Sequence, residues 1–357
     1  MVKQAFLIGG LVIVAVLLAR FWPTPPPPEK PLPASPLQAE QKAVEPQRIL
    51  FVNSYHRGYP WSDGIQKALI DALELQPGRQ PETWHGTRFV LRVQYLDTKR
   101  NPAEQTVQKA AGAVLATIRD WRPDIVATSD DNAVKYVTRS ALQEFPSLPF
   151  VFCGVNWSAA EYDLPSDRVT GMIEVQPVDQ IIETLSPFAR GKRIAFLKGY
   201  DLSAVIEADA IEAFLGIPLQ RRLVRDFNEW QSAYRQLQQE SDILLIGNYV
   251  SVPDWNDMRA RQLISEETRI PSGAWDAWMQ EYALLTFSTV PDEQGEWVAE
   301  TVLSILSGKP PVTISQVRNQ KATIYRNMLL AKQLGIVFPM ELLRRSWAVD
   351  QGRGDDS

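Results

Sequence analysis

The chain has 357 residues, of which 45% are hydrophobic and 22% are charged, and these values predict a globular protein with two core-bearing units. Its formal net charge of −5 supplies no basic surplus for phosphates, which argues against nucleic acid as a partner. Cys153 is the only cysteine, so an intramolecular disulfide and a cysteine-based zinc cluster are excluded. With only two histidines as well, we expect no metal and no cofactor.

The compartment is predicted from an apolar segment at the N-terminus. Residues 5–19 form an unbroken run of apolar residues and glycines, preceded by Lys3 and followed by the aromatic pair at 21–22. As a helix, this segment would span about 27 Å at ~1.5 Å per residue, close to the roughly 30 Å of a bilayer core. A cleaved signal peptide is the alternative, although no small-x-small pair follows the run and no cysteine is available for lipid attachment. Residues 1–22 are thus predicted to be an anchor or a signal, and either interpretation exports the rest of the chain.

A proline-rich segment and then a regular alternation of elements follow. Residues 23–46 contain nine prolines and predict a stiff polyproline linker. Beyond it, short β-branched and aromatic runs alternate with segments of helical apolar spacing, which predicts an α/β fold with parallel sheets flanked by helices. The predicted strands cover 48–53, 89–95, 125–128, 150–152, 194–197, 243–246 and 284–287. The predicted helices cover 62–75, 101–121, 131–143, 178–187, 203–215, 228–239 and 294–307.

Polar and aromatic residues follow the carboxyl ends of four predicted strands, where ligands bind in open parallel sheets. These segments are 53–63, 129–132, 153–157 and 247–249. Aromatic walls with a few amides and carboxylates suit a small organic ligand with polar ends. Each segment alone is also what a turn-rich loop contains, but their equivalent positions in four strand–helix units indicate a shared cleft.

The sequence lacks the loops on which many α/β enzymes depend. The loop after the first predicted strand has only Gly58 and Gly64 in place of G-x-G-x-x-G, and neither a G-x-S-x-G elbow nor a G-x-x-x-x-G-K-[ST] loop occurs. Asp130 and Asp131 are adjacent at a predicted helix start, where carboxylates commonly serve as caps and dipole partners. We therefore predict that the chain is not an enzyme.

Several ordered segments resemble a known family. The runs NSYHRGYPWS at 53–62, SDDNA at 129–133 and VFCGVN at 151–156 resemble the periplasmic substrate-binding proteins of ABC transporters. The first run also resembles the extracytoplasmic sensor domains of certain histidine kinases, although Arg57 stands where that pattern usually has proline. The resemblance covers residues 47–345, and later segments agree with it, namely 169–174, 292–295, 306–310 and 327–336.

The resemblance implies a two-lobed fold of the type I periplasmic-binding class, with three crossovers and a solute held between the lobes. On this basis lobe one holds residues 47–172 and 285–311, and lobe two holds residues 173–284 and 312–345. Residues 346–357 are then a polar tail. We expect hinges at Gly171, Glu174, Ser288 and Pro310, because a hinge needs only a few residues that absorb a backbone change.

The predicted ligand-binding residues come from the polar segments and from nearby loops. The aromatic residues would stack on a planar or apolar part of the solute, the asparagines would orient it, and Asp131 would neutralise an amine. A buried core position is the alternative for each tryptophan. The full set is Asn53, Tyr55, Tyr59, Trp61, Asp131, Asn132, Asn156, Trp157, Asn248, Tyr249 and Trp275.

Two functions remain open at this point. In the first, an extracytoplasmic solute-binding protein closes on a small organic ligand and delivers it to an ABC transporter. In the second, a ligand-sensing receptor signals to a separate membrane histidine kinase or a similar partner. Both predict a small-molecule ligand, no nucleic acid, and a protein on the periplasmic face of the inner membrane that is attached through its N-terminal helix.

Overall fold

The computed structural model describes residues 45–349. The predicted anchor at 1–22, nearly all of the proline-rich linker at 23–46 and the last part of the predicted tail lie outside the described residues. Within 45–349, no helix combines the length and the apolar character needed to cross a membrane.

Strands and helices alternate along the described residues. The strands are β1 Gln47–Asn53, β2 Gln76–Pro77, β3 Thr83–His85, β4 Phe89–Tyr95, β5 Ile125–Ser129, β6 Phe150–Asn156, β7 Val169–Glu174, β8 Ile194–Gly199, β9 Gln220–Val224, β10 Ile243–Ile246, β11 Ser272–Ala274, β12 Leu285–Thr289, β13 Val317–Arg318, β14 Ala322–Arg326 and β15 Ser346–Ala348. The helices are α1 Pro60–Ala72, α2 Glu104–Trp121, α3 Asp130–Ala133, α4 Arg139–Glu144, α5 Val178–Leu185, α6 Leu202–Leu215, α7 Phe227–Glu240, α8 Asp257–Glu267, α9 Pro291–Leu306, α10 Met328–Leu334 and α11 Met340–Arg344.

One eight-stranded sheet has the order β13-β7-β6-β5-β1-β4-β3-β2. Its pairing is parallel from β13 to β4, and the β2–β3 ribbon adds an antiparallel edge. Side chains alternate between the faces of a strand, so Leu50 and Val52 enter one apolar cluster while Ile49 and Phe51 enter a second cluster. All four are fully buried, as expected for a parallel strand covered on both sides. This sheet with α1–α4 and α9 is called lobe one.

A second sheet of seven strands has the order β15-β14-β12-β11-β10-β8-β9. It is parallel except where β14 runs antiparallel to β12. Helices α6 and α7 begin at Asp201 and Asp226, whose carboxylates accept hydrogen bonds from the N–H groups of Ala204 and Glu229. This sheet with α5–α8, α10 and α11 is called lobe two. The predicted α/β class, with parallel sheets flanked by helices, is confirmed.

The chain passes between the two sheets three times. It leaves lobe one after Glu174, returns at Val290 between β12 and α9, and leaves again between β13 and β14. The predicted boundaries are wrong in four places. Residues 285–289 belong to lobe two, whereas 173–174 and 317–318 belong to lobe one, and 346–348 form strand β15 instead of tail. A buried apolar strand has the same composition in either sheet, so its pairing partner is not encoded in its own residues.

The predicted hinge residues divide into two pairs. Glu174 ends β7 at the first crossover, and Ser288 lies in β12 shortly before the second. Gly171 instead lies buried inside β7, where an added Cβ would come within 2.4 Å of the Phe152 ring. Pro310 lies between α9 and β13, both in lobe one. The hinge predictions at Gly171 and Pro310 are therefore wrong, because the small size of Gly171 serves packing within the sheet and Pro310 lies away from every crossover.

Candidate functional site

The two lobes approach each other at the carboxyl ends of their parallel strands. Thr289, the last residue of β12 in lobe two, places its hydroxyl 3.5 Å from the carboxylate of Glu174 in lobe one. Trp157, which follows β6 in lobe one, packs edge-on against Phe214 of α6 with ring centroids 6.0 Å apart. The space between the facing sheet ends is called the cleft, and the polar segments predicted from the sequence lie along it.

Asp130 forms the floor of the cleft in lobe one. It is only 2% exposed and adopts a left-handed φ of 66° at the start of α3. The indole N–H of Trp61 donates to Oδ1 at 3.0 Å, and Ser129 Oγ lies 3.1 Å from Oδ2. Burial raises the pKa of Asp130 to about 7. A protonated Asp130 can donate to Ser129 Oγ, which matches this arrangement.

Beneath this floor, Asn53 is fully buried and uses its amide internally. Its Oδ1 accepts from Ser129 Oγ at 3.0 Å, and its Nδ2 donates to Gln66 Oε1 at 3.3 Å. The prediction that Asn53 contacts the ligand is therefore wrong, because the side chain has no surface in the cleft. Because Asn53 accepts the hydrogen bond of the Ser129 hydroxyl, the Ser129 oxygen is left to accept from a protonated Asp130.

Asp131 and Asn156, which lie at the ends of neighbouring strands of lobe one, are in direct contact. Asn156 Nδ2 donates to Asp131 Oδ2 at 2.6 Å, and the hydroxyl of Tyr162 donates to Oδ1 at 3.0 Å. Asn132 donates to the hydroxyl of Thr98 at 3.0 Å. Asp131 is thereby fixed at the cleft surface with lone pairs to spare, while Asn156 is exposed beside it.

Tyr55 and Tyr59 form an aromatic corner at the edge of this acidic surface. Their rings meet edge to face with centroids 4.9 Å apart. Burial, and then the charges of Asp130 and Asp131, raise the pKa of the Tyr55 hydroxyl, so the ring lies within reach of these carboxylates. The ammonium of Lys99 lies 4.4 Å from the Tyr55 ring centroid and 4.9 Å from that of Tyr59.

Glu174 occupies the first crossover and faces both lobes. Burial raises its pKa to about 8, with smaller contributions from the carboxylates of Asp130 and Asp131 and from Asp276 of lobe two. The hydroxyl of Thr289 is its hydrogen-bond partner across the cleft. The group is thus a carboxylate whose ionised form is disfavoured by its surroundings.

Lobe two contributes a smaller set of polar groups. Asn248 Nδ2 donates to Asp276 Oδ2 at 3.2 Å, and burial raises the pKa of Asp276. Tyr249 stacks on Trp255 at 4.2 Å, within the aromatic cluster of lobe two. Trp275 is only 4% exposed, since it stacks on the core residue Phe196. The prediction that Trp275 contacts the ligand is therefore wrong, and the core alternative holds for it.

Sequence reasoning missed several cleft residues, among them Asp276, Lys99 and Tyr162. Asp276 follows β11, whose three residues Ser272–Ala274 are too few to show a period. Lys99 follows β4, and the loop after this predicted strand lies at the same sheet edge as residues 53–63. The position of that loop at the sheet edge would have identified Lys99 as a candidate. Tyr162 lies in a short 3₁₀ turn and carries no sequence signal that we recognise.

The site contains hydrogen-bond acceptors, aromatic faces and an exposed amide, which suits binding of a polar solute. Within residues 45–349, no three side chains among histidine, cysteine, aspartate and glutamate are arranged to hold a metal ion. Cys153 is buried, and burial raises its pKa well above the ordinary value, so its thiol is a packing group.

Comparison with known proteins identifies relatives of this architecture. Residues 93–349 match the family model described as ABC transporter substrate binding protein. A ligand-free, open substrate-binding protein with adhesive properties from Clostridium difficile has a TM-score of 0.62 and 16% identity, covering 85% of this chain and 99% of that chain. The ABC domain from Streptococcus pneumonia in complex with L-Trp has a TM-score of 0.46 and 16% identity, covering 84% and 99%. No curated protein matches the chain. The family resemblance predicted from the sequence is confirmed, and so is the type I periplasmic-binding fold.

Proposed function

We propose that this chain, which belongs to the family of ABC transporter substrate-binding proteins, binds a small organic solute in the cleft and delivers it to an ABC transporter. The observation that carries the proposal is the position of Glu174 in lobe one, whose carboxylate lies 3.5 Å from the hydroxyl of Thr289 in lobe two. Glu174 is also within electrostatic reach of Asp131 in its own lobe and of Asp276 in lobe two. Ligands of open parallel sheets bind beyond the carboxyl ends of the strands. A solute in the cleft would therefore contact both lobes at once.

An amine-bearing solute with a planar or apolar part fits this lining best. Asp131 is oriented by Asn156 and Tyr162, and such preorganisation lowers the ordering cost of binding an ammonium group. The rings of Tyr55 and Tyr59 supply aromatic faces beside it. The exposed amide of Asn156 is available for a further hydrogen bond to the solute.

The crossovers provide a path for lobe closure. The carboxylate of Glu293, at the start of α9, accepts hydrogen bonds from the N–H groups of Gln320 at 2.8 Å and Lys321 at 2.7 Å. Asn319 accepts from the N–H of Val175 at 2.7 Å. These bonds tie the three crossovers to one another, so backbone rotation there moves the lobes as rigid bodies. Tethering through residues 1–22 would keep the receptor at the membrane that holds the transporter.

A thermal-shift screen of the purified full-length protein tests solute binding. The panel contains amino acids, aromatic amines, polyamines, nucleosides, sugars and aromatic acids. A solute at one hundred times its Kd should stabilise the folded state by about 2.7 kcal/mol. Asp131→Asn should weaken an amine hit at least tenfold, since it removes a charge partner, while the same change at exposed Asp120 on α2 should not. No stabilisation across the panel, or equal affinity of both variants, would contradict the proposal.

Delivery is tested separately with the solute that the screen identifies. Uptake of the labelled solute by cells that lack this protein should fall, and it should recover when the gene is restored. Unchanged uptake together with a changed transcriptional response would instead support the sensing function, and would leave solute binding intact.

A further inference from the structure

Lys99 places its ammonium group against the aromatic corner formed by Tyr55 and Tyr59. The distances of 4.4 and 4.9 Å from Nζ to the two ring centroids are within the range of a cation–π contact. Among residues 45–349, no carboxylate is close enough to Lys99 to form an ion pair. Within these residues, the two tyrosine faces are therefore the direct contacts of this cation.

The backbone on each side of Lys99 is fixed. The hydroxyl of Thr98 donates to the carbonyl of Ser54 at 2.9 Å, and Thr98 is only 5% exposed. On the other side, the guanidinium of Arg100 makes two hydrogen bonds to Asp97, at 2.7 and 2.8 Å. The side chain of Lys99 itself is exposed. Its ammonium is thus tethered beside the corner at a high local concentration, but it can leave into solvent.

The surroundings of the corner favour positive charge in general. Tyr55 lies within electrostatic reach of Asp130, Asp131 and Glu174. Lys99 in turn favours the ionised form of Asp130, so its charge acts on the floor of the cleft. A cation supplied by a solute would meet the same two rings and the same carboxylates as the lysine does.

We propose that the Tyr55–Tyr59 corner is the subsite for an ammonium group of the solute, and that Lys99 occupies it as an intramolecular competitor until such a solute displaces it. This inference rests on the proposed function, and the ligand class that it predicts is primary amines or quaternary ammonium ions. When a competitor fills the subsite, the apparent association constant of the solute equals its intrinsic value multiplied by the fraction of molecules in which the subsite is free. An exposed cation–π contact supports a factor of about two to five.

The test uses two probes with the same ring and chain length but opposite charge, phenethylamine and 3-phenylpropionate. Calorimetric titration compares the full-length protein with Lys99→Gln and with Lys192→Gln. The control removes an equal charge from the exposed loop before β8, at the sheet edge away from the cleft. Lys99→Gln should bind phenethylamine about two to five times more tightly than the wild type, and Lys192→Gln should match the wild type.

A second measurement observes the lysine directly. In the ligand-free protein with ¹³C-methylated lysines, the signal that is lost in Lys99→Gln should be shifted upfield by the ring currents of Tyr55 and Tyr59. Saturating phenethylamine should move it back to the position of a solvated lysine. An unshifted signal overturns the inference and leaves the proposed function untouched.

The binding outcomes separate the two proposals. If Lys99→Gln weakens binding of 3-phenylpropionate, or of any solute with a carboxylate, Lys99 is a direct anion contact and the inference is overturned. It is also overturned if the cleft binds other solutes but Lys99→Gln binds phenethylamine no better than the wild type. Only if the wild type and Lys99→Gln bind no solute of any class does the proposed function fail as well.

Discussion

Replacing Asp130 by asparagine should stabilise the protein above neutral pH and have little effect in acid. The carboxyl group is 2% exposed, and burial raises its pKa from 3.8 to about 7. Asparagine matches the protonated acid in shape and in hydrogen bonding. Its oxygen can accept from the indole N–H of Trp61, now 3.0 Å from Oδ1. Its NH₂ can donate to Ser129 Oγ, now 3.1 Å from Oδ2, while that hydroxyl donates to Asn53.

The magnitude follows from the two pKa values of Asp130. In the unfolded chain the group loses its proton near pH 3.8, whereas in the folded protein it keeps the proton up to about pH 7. Between these values the folded state binds more protons, so stability falls by about 1.4 kcal/mol per pH unit as the pH rises. Over roughly three units the loss is about 4 kcal/mol, absent below pH 4 and complete above pH 7. Asparagine removes this loss, and it also removes a charge that raises the pKa of Glu174.

Urea unfolding followed by tryptophan fluorescence measures this effect between pH 4 and pH 8.5. The free energy of unfolding of Asp130→Asn should rise relative to the wild type by about 4 kcal/mol across that range. Asp120→Asn, an identical change at an exposed position of α2, is the control. If the difference between Asp130→Asn and the wild type is the same at every pH, the buried carboxyl does not hold a proton near neutrality and the reasoning is refuted.

Two further predictions concern packing within lobe one and contact between the lobes. Gly295→Ala should destabilise by about 1–3 kcal/mol, since its Cβ would lie 2.2 Å from the carbonyl oxygen of Ile65. Gly112→Ala, on the exposed face of α2 with nothing within 4 Å, should stabilise by about 0.5–1 kcal/mol; equal urea midpoints of the two variants would contradict both. Phe214→Ala removes the ring contact with Trp157 at 6.0 Å and should increase the radius of gyration of the ligand-free protein in small-angle scattering. An unchanged radius would show that this contact does not set the separation of the lobes.

Two of the strands that the sequence predicted are buried on both faces. Strands β1 and β10 read as continuous apolar runs because helices cover them on either side, so composition alone identifies them. Strand β9, with the sequence QRRLV, was missed because most of it is only half-buried and two arginines extend from it. Strand β11 was missed because it has three residues. The sequence analysis assigned β12 and β13 to the wrong lobes, because sheet membership depends on pairing between distant segments and has no local signal.

In the candidate site, the sequence predicted where residues lie along the sheet edge but not how their side chains are oriented. The rule that ligands lie beyond parallel strand ends placed Asp131 and Asn156 together at the cleft, because both positions follow from topology. This rule does not predict the orientation of a side chain. Trp275 follows a strand end as Trp61 follows another, yet one stacks in the core and the other donates to Asp130. That choice depends on the local backbone and on neighbours distant in sequence.

Carboxylates from both lobes act on Glu174, and this arrangement supports the proposal of a solute that carries positive charge. Glu174 experiences Asp130 and Asp131 from its own lobe and Asp276 from the other, and its pKa is raised to about 8 mainly by burial. A neutral solute that expels water from the cleft would increase this penalty on ionised carboxylates. A cation placed among them lowers it, because an opposite charge within a few ångströms favours the ionised form. If the lobes close on such a solute as proposed, closure and cation binding would share one favourable electrostatic contribution. Lys99, whose ammonium lies against Tyr55 and Tyr59, is already a cation near these carboxylates.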